Sequence, residues 1–262
     1  LNYLLYNIII MFYIKTLCLI SCIINWIINV IDFIKSCLVK DPLIVSIEGN
    51  IGSGKSTLIN EMKNKKYNNI IFIDEPVKEW TDITDDDNNN ILNKFYGDKN
   101  RWSYTFQNFA FITRAKLLNK ITNNNKTNIF QKRKIIVTER SIETDKNVFA
   151  KMLFDSGNIN LLEYKLYNVW YNKLSFDLKV ENIIYLKSDP EVAFTRIKKR
   201  DRKEESSIEK SYIENVNKYH DDWLNITNTN YNVCYIDVNE NKENNKYDQE
   251  INNIVNFINK LS

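Results

Sequence analysis

Five short apolar runs recur along the chain, at residues 43–47, 70–74, 134–138, 182–186 and 232–236. Between them lie longer stretches in which apolar residues return at helical spacing: 101–121, 143–155, 160–179, 190–199 and 208–225, with a shorter one at 58–62 after the first run. Continuous apolar strands that alternate with helices predict an α/β fold, a five-stranded parallel sheet covered on both faces. Ligands of such sheets bind beyond the carboxyl ends of the strands. Three of the runs end in polar clusters, Glu48-Gly49-Asn50, Asp74-Glu75-Pro76 and Glu139-Arg140-Ser141. Those clusters are expected to converge on one crevice. Residues 43–262 contain no internal repeat and no sign of a second domain.

The first 39 residues follow neither pattern. They are almost wholly apolar, with Lys15, Asp32 and Lys35 the only charges. The uncharged stretch is marginal for a membrane span, which needs about 20 predominantly apolar residues. It lacks the small-residue cleavage site of a signal peptide, and it is poor in the Arg and Ser of a transit peptide. Three readings stand: a membrane anchor, an apolar helix lying on the domain, or an upstream extension outside the working protein. Lys40-Asp41-Pro42 closes the segment. Residues 1–42 are read as an extension and residues 43–262 as the catalytic domain, with membrane contact only through residues 1–39.

Composition narrows the chemistry. A chain of 262 residues can bury a sizeable core. The net charge of +3 is too mild to argue for nucleic-acid binding. Of four cysteines, Cys18, Cys22 and Cys37 fall in the apolar segment and Cys234 stands alone. Free thiols in the cytoplasm or another reducing compartment are the expectation. A single histidine, His220, argues against a His-based triad or His-rich metal site. The polar runs 85–90 and 123–125 read as loop tips, and the sequons at Asn125 and Asn225 as chance in so Asn-rich a chain.

The most informative stretch is Gly49-Asn50-Ile51-Gly52-Ser53-Gly54-Lys55-Ser56-Thr57, the spacing G-x-x-x-x-G-K-S between a strand and a helix. Glycines let successive backbone N–H groups turn inward on phosphate oxygens, and the helix beginning near Lys55 adds its positive end. Lys55 is expected to reach the outer phosphates and the Ser56 hydroxyl to bind Mg²⁺. Glu75, held on a stiff corner by Pro76, can accept a hydroxyl proton near bound phosphate. Glu139 can hold Mg²⁺, and Arg140 can bond reacting oxygens or orient Glu75. Arg196 and Arg200 lie one turn apart on a predicted helix, with Arg202 just beyond. Beside a phosphate loop they can form a lid over a triphosphate.

These residues carry a family resemblance. The chain resembles the cellular-type deoxynucleoside kinases, which share the P-loop kinase fold. The matching pieces are Ile47-Glu48-Gly49-Asn50-Ile51, Glu75-Pro76-Val77 with Trp80, and residues 101–107. Glu139-Arg140-Ser141 with Asp145, the Arg196, Arg200-Asp201-Arg202 and Glu205 lid with Tyr212, and Asp237-Val238-Asn239 follow in order. The resemblance covers residues 43–262. It implies transfer of the γ-phosphoryl of ATP, or another NTP, to the 5′-hydroxyl of a deoxynucleoside, with Mg²⁺, in nucleotide salvage. It makes Glu75 the base, with Arg140 beside it. Gln107 reads the base edge, Phe106 and Phe149 sandwich the base, and Trp80 walls the pocket. Tyr96 and Glu205 take the 3′-hydroxyl, and Arg196, Arg200 and Arg202 clamp phosphate. Ala110, Arg114 and Asp145 match the deoxycytidine and purine kinases, so thymidine is the disfavoured substrate. A homodimer through helices near 143–179 is implied as well.

One departure from the family is Gly52-Ser53-Gly54, where many relatives carry Ala. Both being small, the exchange is expected to be tolerated. Asn245-Lys246-Tyr247-Asp248 spells a guanine-reading motif, but no D-x-x-G follows a strand. Two other classes remain open: a nucleoside monophosphate kinase of the thymidylate kinase type, and a non-catalytic nucleotide-binding protein at a membrane.

Overall fold

The computed structural model describes residues 2–175, 178, 180–225, 230–240 and 247–261. A long helix α1 (Asn2–Cys37) leads through β1 (Val39–Lys40) into β2 (Leu43–Gly49). Then come α2 (Lys55–Asn64), β3 (Ile70–Ile73), α3 (Val77–Thr81), α4 (Ile91–Gly97), α5 (Lys99–Asn124), β4 (Thr127–Asn128) and β5 (Ile135–Glu139). A continuous helical stretch follows: α6 (Ile142–Thr144), a π-helical segment (Asp145–Ala150) and α7 (Lys151–Asp155). The chain continues through α8 (Leu161–Leu174), β6 (Asn182–Lys187), α9 (Pro190–Arg200), a 3-10 turn (Lys203–Glu205), α10 (Lys210–Trp223), β7 (Asn232–Asp237) and α11 (Asp248–Leu261).

All five expected strands are present and parallel, in the order β3-β5-β2-β6-β7. The period of two along β2 divides the core. Val45 and Ile47 pack with Leu58, Ile59 and Met62 of α2 and Ile251, Ile254 and Ile258 of α11. Ile44 packs on the other face with Ile136, Ile183, Phe111 and Tyr167. A third cluster, around Trp80, Phe95, Phe106 and Val148, closes the far side of the crevice.

Some elements escaped the sequence pattern. The sequence pattern predicts no helix beyond 208–225, yet Ile251, Ile254 and Ile258 of α11 recur at helical spacing and are buried. Asn245 and Lys246 of the guanine-reading motif lie outside the described residues, as do parts of the predicted 160–179 helix beyond Ser175. The run 123–125 is not a loop tip: Asn123 and Asn124 finish α5. Asn90, at the end of the other run, is the N-cap of α4. Its side chain accepts from the Asn93 N–H, while the Asn93 side chain accepts from its own N–H.

α1 runs unbroken through the apolar segment, and none of the apolar stretch Met11–Ile31 is buried. Its junction with the domain is tied down. Val39 and Lys40 pair antiparallel with Asn128 and Thr127, and the Ile129 N–H donates to the Leu38 carbonyl. Residues 38–40, assigned to the extension from sequence, therefore belong structurally to the domain's edge.

Candidate active site

α2 starts directly after the glycine loop, with Gly54 as its N-cap at φ 91. That left-handed backbone favours glycine. Gly52 is also left-handed, at φ 80, and a Cβ there would fall 2.4 Å from the Ala193 carbonyl oxygen. The glycine this chain carries at position 52 leaves that space free, whereas a side chain there would force the loop or α9 to shift. The Lys55 ammonium lies across the loop and donates to the Gly49 carbonyl at 3.1 Å and the Asn50 carbonyl at 2.7 Å. Asn50 and Ser53 do not aim their side chains at the crevice. Both are buried, and the Asn50 amide donates to the Ile213 carbonyl of α10 at 3.0 Å. The Ser53 N–H closes a turn on the Asn50 carbonyl. Ser56 donates to Glu139 Oε1 at 2.7 Å. This pairs a hydroxyl and a carboxylate, a hard oxygen set of the kind that holds Mg²⁺ beside phosphates. Among the described residues no group of three or more His, Cys, Asp or Glu could hold a metal.

Glu75 follows β3 and receives two cations. Arg114 Nη2 lies 2.9 Å from Glu75 Oε1, and Arg140 Nε lies 3.5 Å from it. Burial opposes the charge on Glu75. Arg114, Arg140 and Lys55 outweigh it and hold the carboxyl below its ordinary value. Arg114 also bonds Asp145 Oδ2 at 2.9 Å and the Glu139 carbonyl at 3.1 Å, so one guanidinium ties two strand ends and the π-helical segment together. Burial leaves Asp145 above the usual carboxylate range despite Arg114. Two carboxylates around one cation are thus driven apart in acidity.

Arg140 occupies the left-handed region at φ 61, rare for a side chain of its size. The turn is pinned from several directions. The Arg140 N–H donates to Ile47, the Thr138 hydroxyl to the Arg140 carbonyl, and Arg140 Nη1 to Gly49. Beneath it, Glu48 is fully buried and accepts from the hydroxyls of Ser141 and Thr144. Strained backbone of this kind costs on the order of 1–3 kcal/mol and persists only where its surroundings over-determine it.

A cavity of about 1000 Å³ joins these groups. Ile51, Gly52, Gly54, Lys55, Ser56 and Thr57 line one end, and Gly49, Asn50 and Ser53 sit a layer behind. Glu75, Glu139 and Arg140 occupy the middle. Trp80, Phe106, Gln107, Ala110, Arg114, Asp145 and Phe149 line the other end, and Tyr96 with Glu205 flanks them. The π-helical segment sets Asp145 and Phe149 on one face, a known role for such bulges at functional sites. Trp80 is fixed as a wall by donating to the Thr113 hydroxyl at 2.9 Å. Gln107 is only 2% exposed, and among the described residues none takes its amide. Its amide opens on the cavity, where it can donate to and accept from a ligand. Burial keeps the Tyr96 hydroxyl protonated.

The lid residues are arranged differently from the expectation. Arg200 Nη2 reaches both Glu205 oxygens, at 2.6 and 2.7 Å, and Arg202 lies 3.5 Å from the same carboxylate. Arg196 donates to the Glu240 carbonyl at 3.1 Å while still lining the cavity. The arginines expected on phosphate and the acid expected on sugar here hold one another.

Residues 45–261 match the family described as deoxynucleoside kinase. The chain is 35% identical over 240 residues to a probable deoxycytidine kinase of Fowlpox virus (strain NVSL), covering 89% of this chain and 95% of that protein. It is 33% identical over 230 residues to deoxycytidine kinase 2 of Gallus gallus, covering 79% and 86%. It is 33% identical over 234 residues to the mitochondrial deoxyguanosine kinase of Xenopus laevis, covering 80% and 87%.

The chain belongs to the deoxynucleoside kinase family. It is a phosphotransferase on a P-loop scaffold. Several residues that shape this kinase's crevice gave no signal of their own in sequence. Glu48 reads as one polar residue ending a strand, yet it supports the Arg140 turn. Thr113, which fixes Trp80, donates to the Phe109 carbonyl one turn back in α5 and looks like any helical threonine. Tyr212, whose ring lies 6.2 Å from that of Tyr96, matched the family pattern without an assigned task.

Proposed function

We propose that the kinase transfers the γ-phosphoryl of ATP to the 5′-hydroxyl of a deoxynucleoside, favouring deoxycytidine and purine deoxynucleosides over thymidine. The observation that carries this reading is the single cavity with the phosphate loop at one end, Glu75 midway and the partnerless Gln107 amide at the other. Glu75, charged and fixed by two arginines, accepts the proton of the 5′-hydroxyl. Lys55 and Arg140 stabilise charge on the transferring group, and the lid arginines close on the triphosphate once Glu205 turns to the 3′-hydroxyl. Gln107 pairs with the base edge between Phe106 and Phe149. Ser56 and Glu139 would hold Mg²⁺, which neutralises charge on the phosphates when bound.

An acceptor carrying its own phosphate, as in a thymidylate-type kinase, fits less well. Its phosphate would face the Glu75 carboxylate, and the charge of Arg114 is already engaged by Glu75 and Asp145. The Arg114–Asp145 pair lines the base end of the cavity, where it would crowd a 5-methyl group. With the full chain in mild detergent, kcat/KM for deoxycytidine, deoxyadenosine or deoxyguanosine is expected to exceed that for thymidine by about tenfold or more. Equal or better use of thymidine would overturn the preference. The exposed stripe Leu162, Leu166, Val169 and Trp170 on α8 fits a second copy of the chain. A monomeric mass in light scattering would remove that dimer.

Nucleotide binding should also move a proton. Burial, with Arg140, pushes the Lys55 ammonium down to about 7, and the nearby carboxylates offset only part of this. Polyphosphate in the cradle favours the charged form and raises this value. Binding of ATP at about pH 8 is therefore expected to take up protons. Calorimetry in buffers of different ionisation enthalpy reads this directly; a binding enthalpy independent of buffer would contradict it.

A further inference from the structure

We infer that α1 crosses a lipid bilayer and seats the kinase domain on the headgroups by its basic end, leaving the active-site mouth in water. The stretch Met11–Ile31 has 21 residues and a mean hydropathy of 1.9. At 1.5 Å per residue it measures about 31 Å, against about 30 Å for the hydrocarbon core of a bilayer. The helix continues past both ends of that span, which tilt and the headgroup layers accommodate. Lys15, the one charge within it, lies about one turn from an end, where its stem can carry the ammonium to the interface.

The distribution of apolar side chains decides between a bilayer and a protein partner. Ile14, Leu17, Ile20, Ile24 and Ile27 run down one side of α1, and Phe12, Leu19, Ile23 and Trp26 run down another; all are exposed. A protein surface covers a stripe of a helix, whereas lipid covers its whole circumference. α8 provides the contrast within the same chain. Its Leu162, Leu166, Val169 and Trp170 keep to one side, and Tyr167 and Tyr171 on another side are buried in the core.

The domain's own surface agrees independently. Where α1 ends, Arg133 Nε donates to the Asp41 carbonyl at 2.7 Å and Lys126 pairs with the Asp41 carboxylate at 3.1 Å. Lys40, Lys132 and Lys134 belong to the same edge, formed by β1, β4 and the amino ends of β2 and β5. Phe130, at the turn after β4, is 85% exposed. Cations and an exposed aromatic beside an apolar helix are what anionic headgroups and the membrane interface attract. The active site lies at the other, carboxyl ends of β2 and β5, so seating the basic edge on lipid leaves the crevice open.

The test uses the full chain. Membranes from expressing cells are washed with alkaline carbonate, and detergent extracts are reconstituted into phosphatidylcholine–phosphatidylserine vesicles. Deoxynucleoside kinase activity is expected to stay in the washed pellet and to float with the vesicles. The full chain carrying Leu17→Lys, Ile20→Lys and Ile24→Lys is expected to appear in the supernatant with unchanged kcat, since these residues are remote from the crevice. Wild-type activity released by carbonate, or recovered without detergent as a soluble oligomer packed through α1, would overturn the proposal. So would an active triple variant that remains in the pellet.

Discussion

Glu75→Gln is expected to retain nucleoside and nucleotide affinity while kcat falls by about 10²–10⁴-fold. The amide keeps the shape of the side chain and can still accept from Arg114 Nη2, 2.9 Å away in the wild type. It cannot take the proton of a 5′-hydroxyl. The electrostatics sharpen the expectation. Arg114, Arg140 and Lys55 overcome the burial cost and hold the wild-type carboxyl below its ordinary value. The base is therefore already charged throughout the neutral range. The rate should decline only as pH falls through that lowered value, so the acid limb of kcat lies below the usual glutamate range. Single-turnover rates for wild type and variant, with substrate dissociation constants from fluorescence titration, separate chemistry from binding. A variant with the wild-type rate constant would refute the assignment of Glu75 as base.

Arg114→Met is expected to be the most destabilising single change near the crevice, at about 3–5 kcal/mol. Arg114 is buried and bonds Glu75, Asp145 and the Glu139 carbonyl. Removing it leaves two acids facing one another with only Arg140 and Lys55 near Glu75. A loss of that size is a large share of the about 5–15 kcal/mol that holds a typical domain together. It should lower Tm by about 6–20 °C for a domain of this size. The deficit also depends on pH. Without Arg114, burial raises the carboxyl pKa in the folded state above the unfolded value, so the folded state binds more protons. Stability then falls as pH rises through that window, and the gap from wild type widens towards neutral pH. Asp145→Asn added to Arg114→Met should restore part of the loss, because it removes a buried charge. Thermal denaturation of the wild type and both variants at mildly acidic and neutral pH measures all three effects; a single variant as stable as wild type would show that the guanidinium does not hold the strand ends together.

Much of the framework was readable along the chain because its signals are local. Each strand is a continuous apolar run, since a parallel sheet buried on both faces leaves no polar side to alternate with. The glycine loop announces itself because backbone that curls round phosphate needs glycine at fixed spacing. α3 and α4 were missed because they span five and seven residues, too few for a helical period to repeat. α11 was hidden by its Asn-rich context, although its isoleucines mark one face. β1 and β4 are two-residue strands whose pairing joins positions nearly ninety residues apart.

The sequence by itself determined the sheet, the phosphate loop and the three polar strand ends, because each depends on residue type at short spacing; the reaction was implied by the family resemblance. Only the tertiary structure decided how those parts share charge. Whether Arg114 serves Asp145 or Glu75 is set by where β3, β5 and the π-helical segment meet, and it proves to serve both. Whether Arg200 faces phosphate or Glu205 depends on how the lid folds over the crevice, and here it grips Glu205. Electrostatic partnership acts through distance in space, and distance in space is fixed only when the strands have been laid side by side.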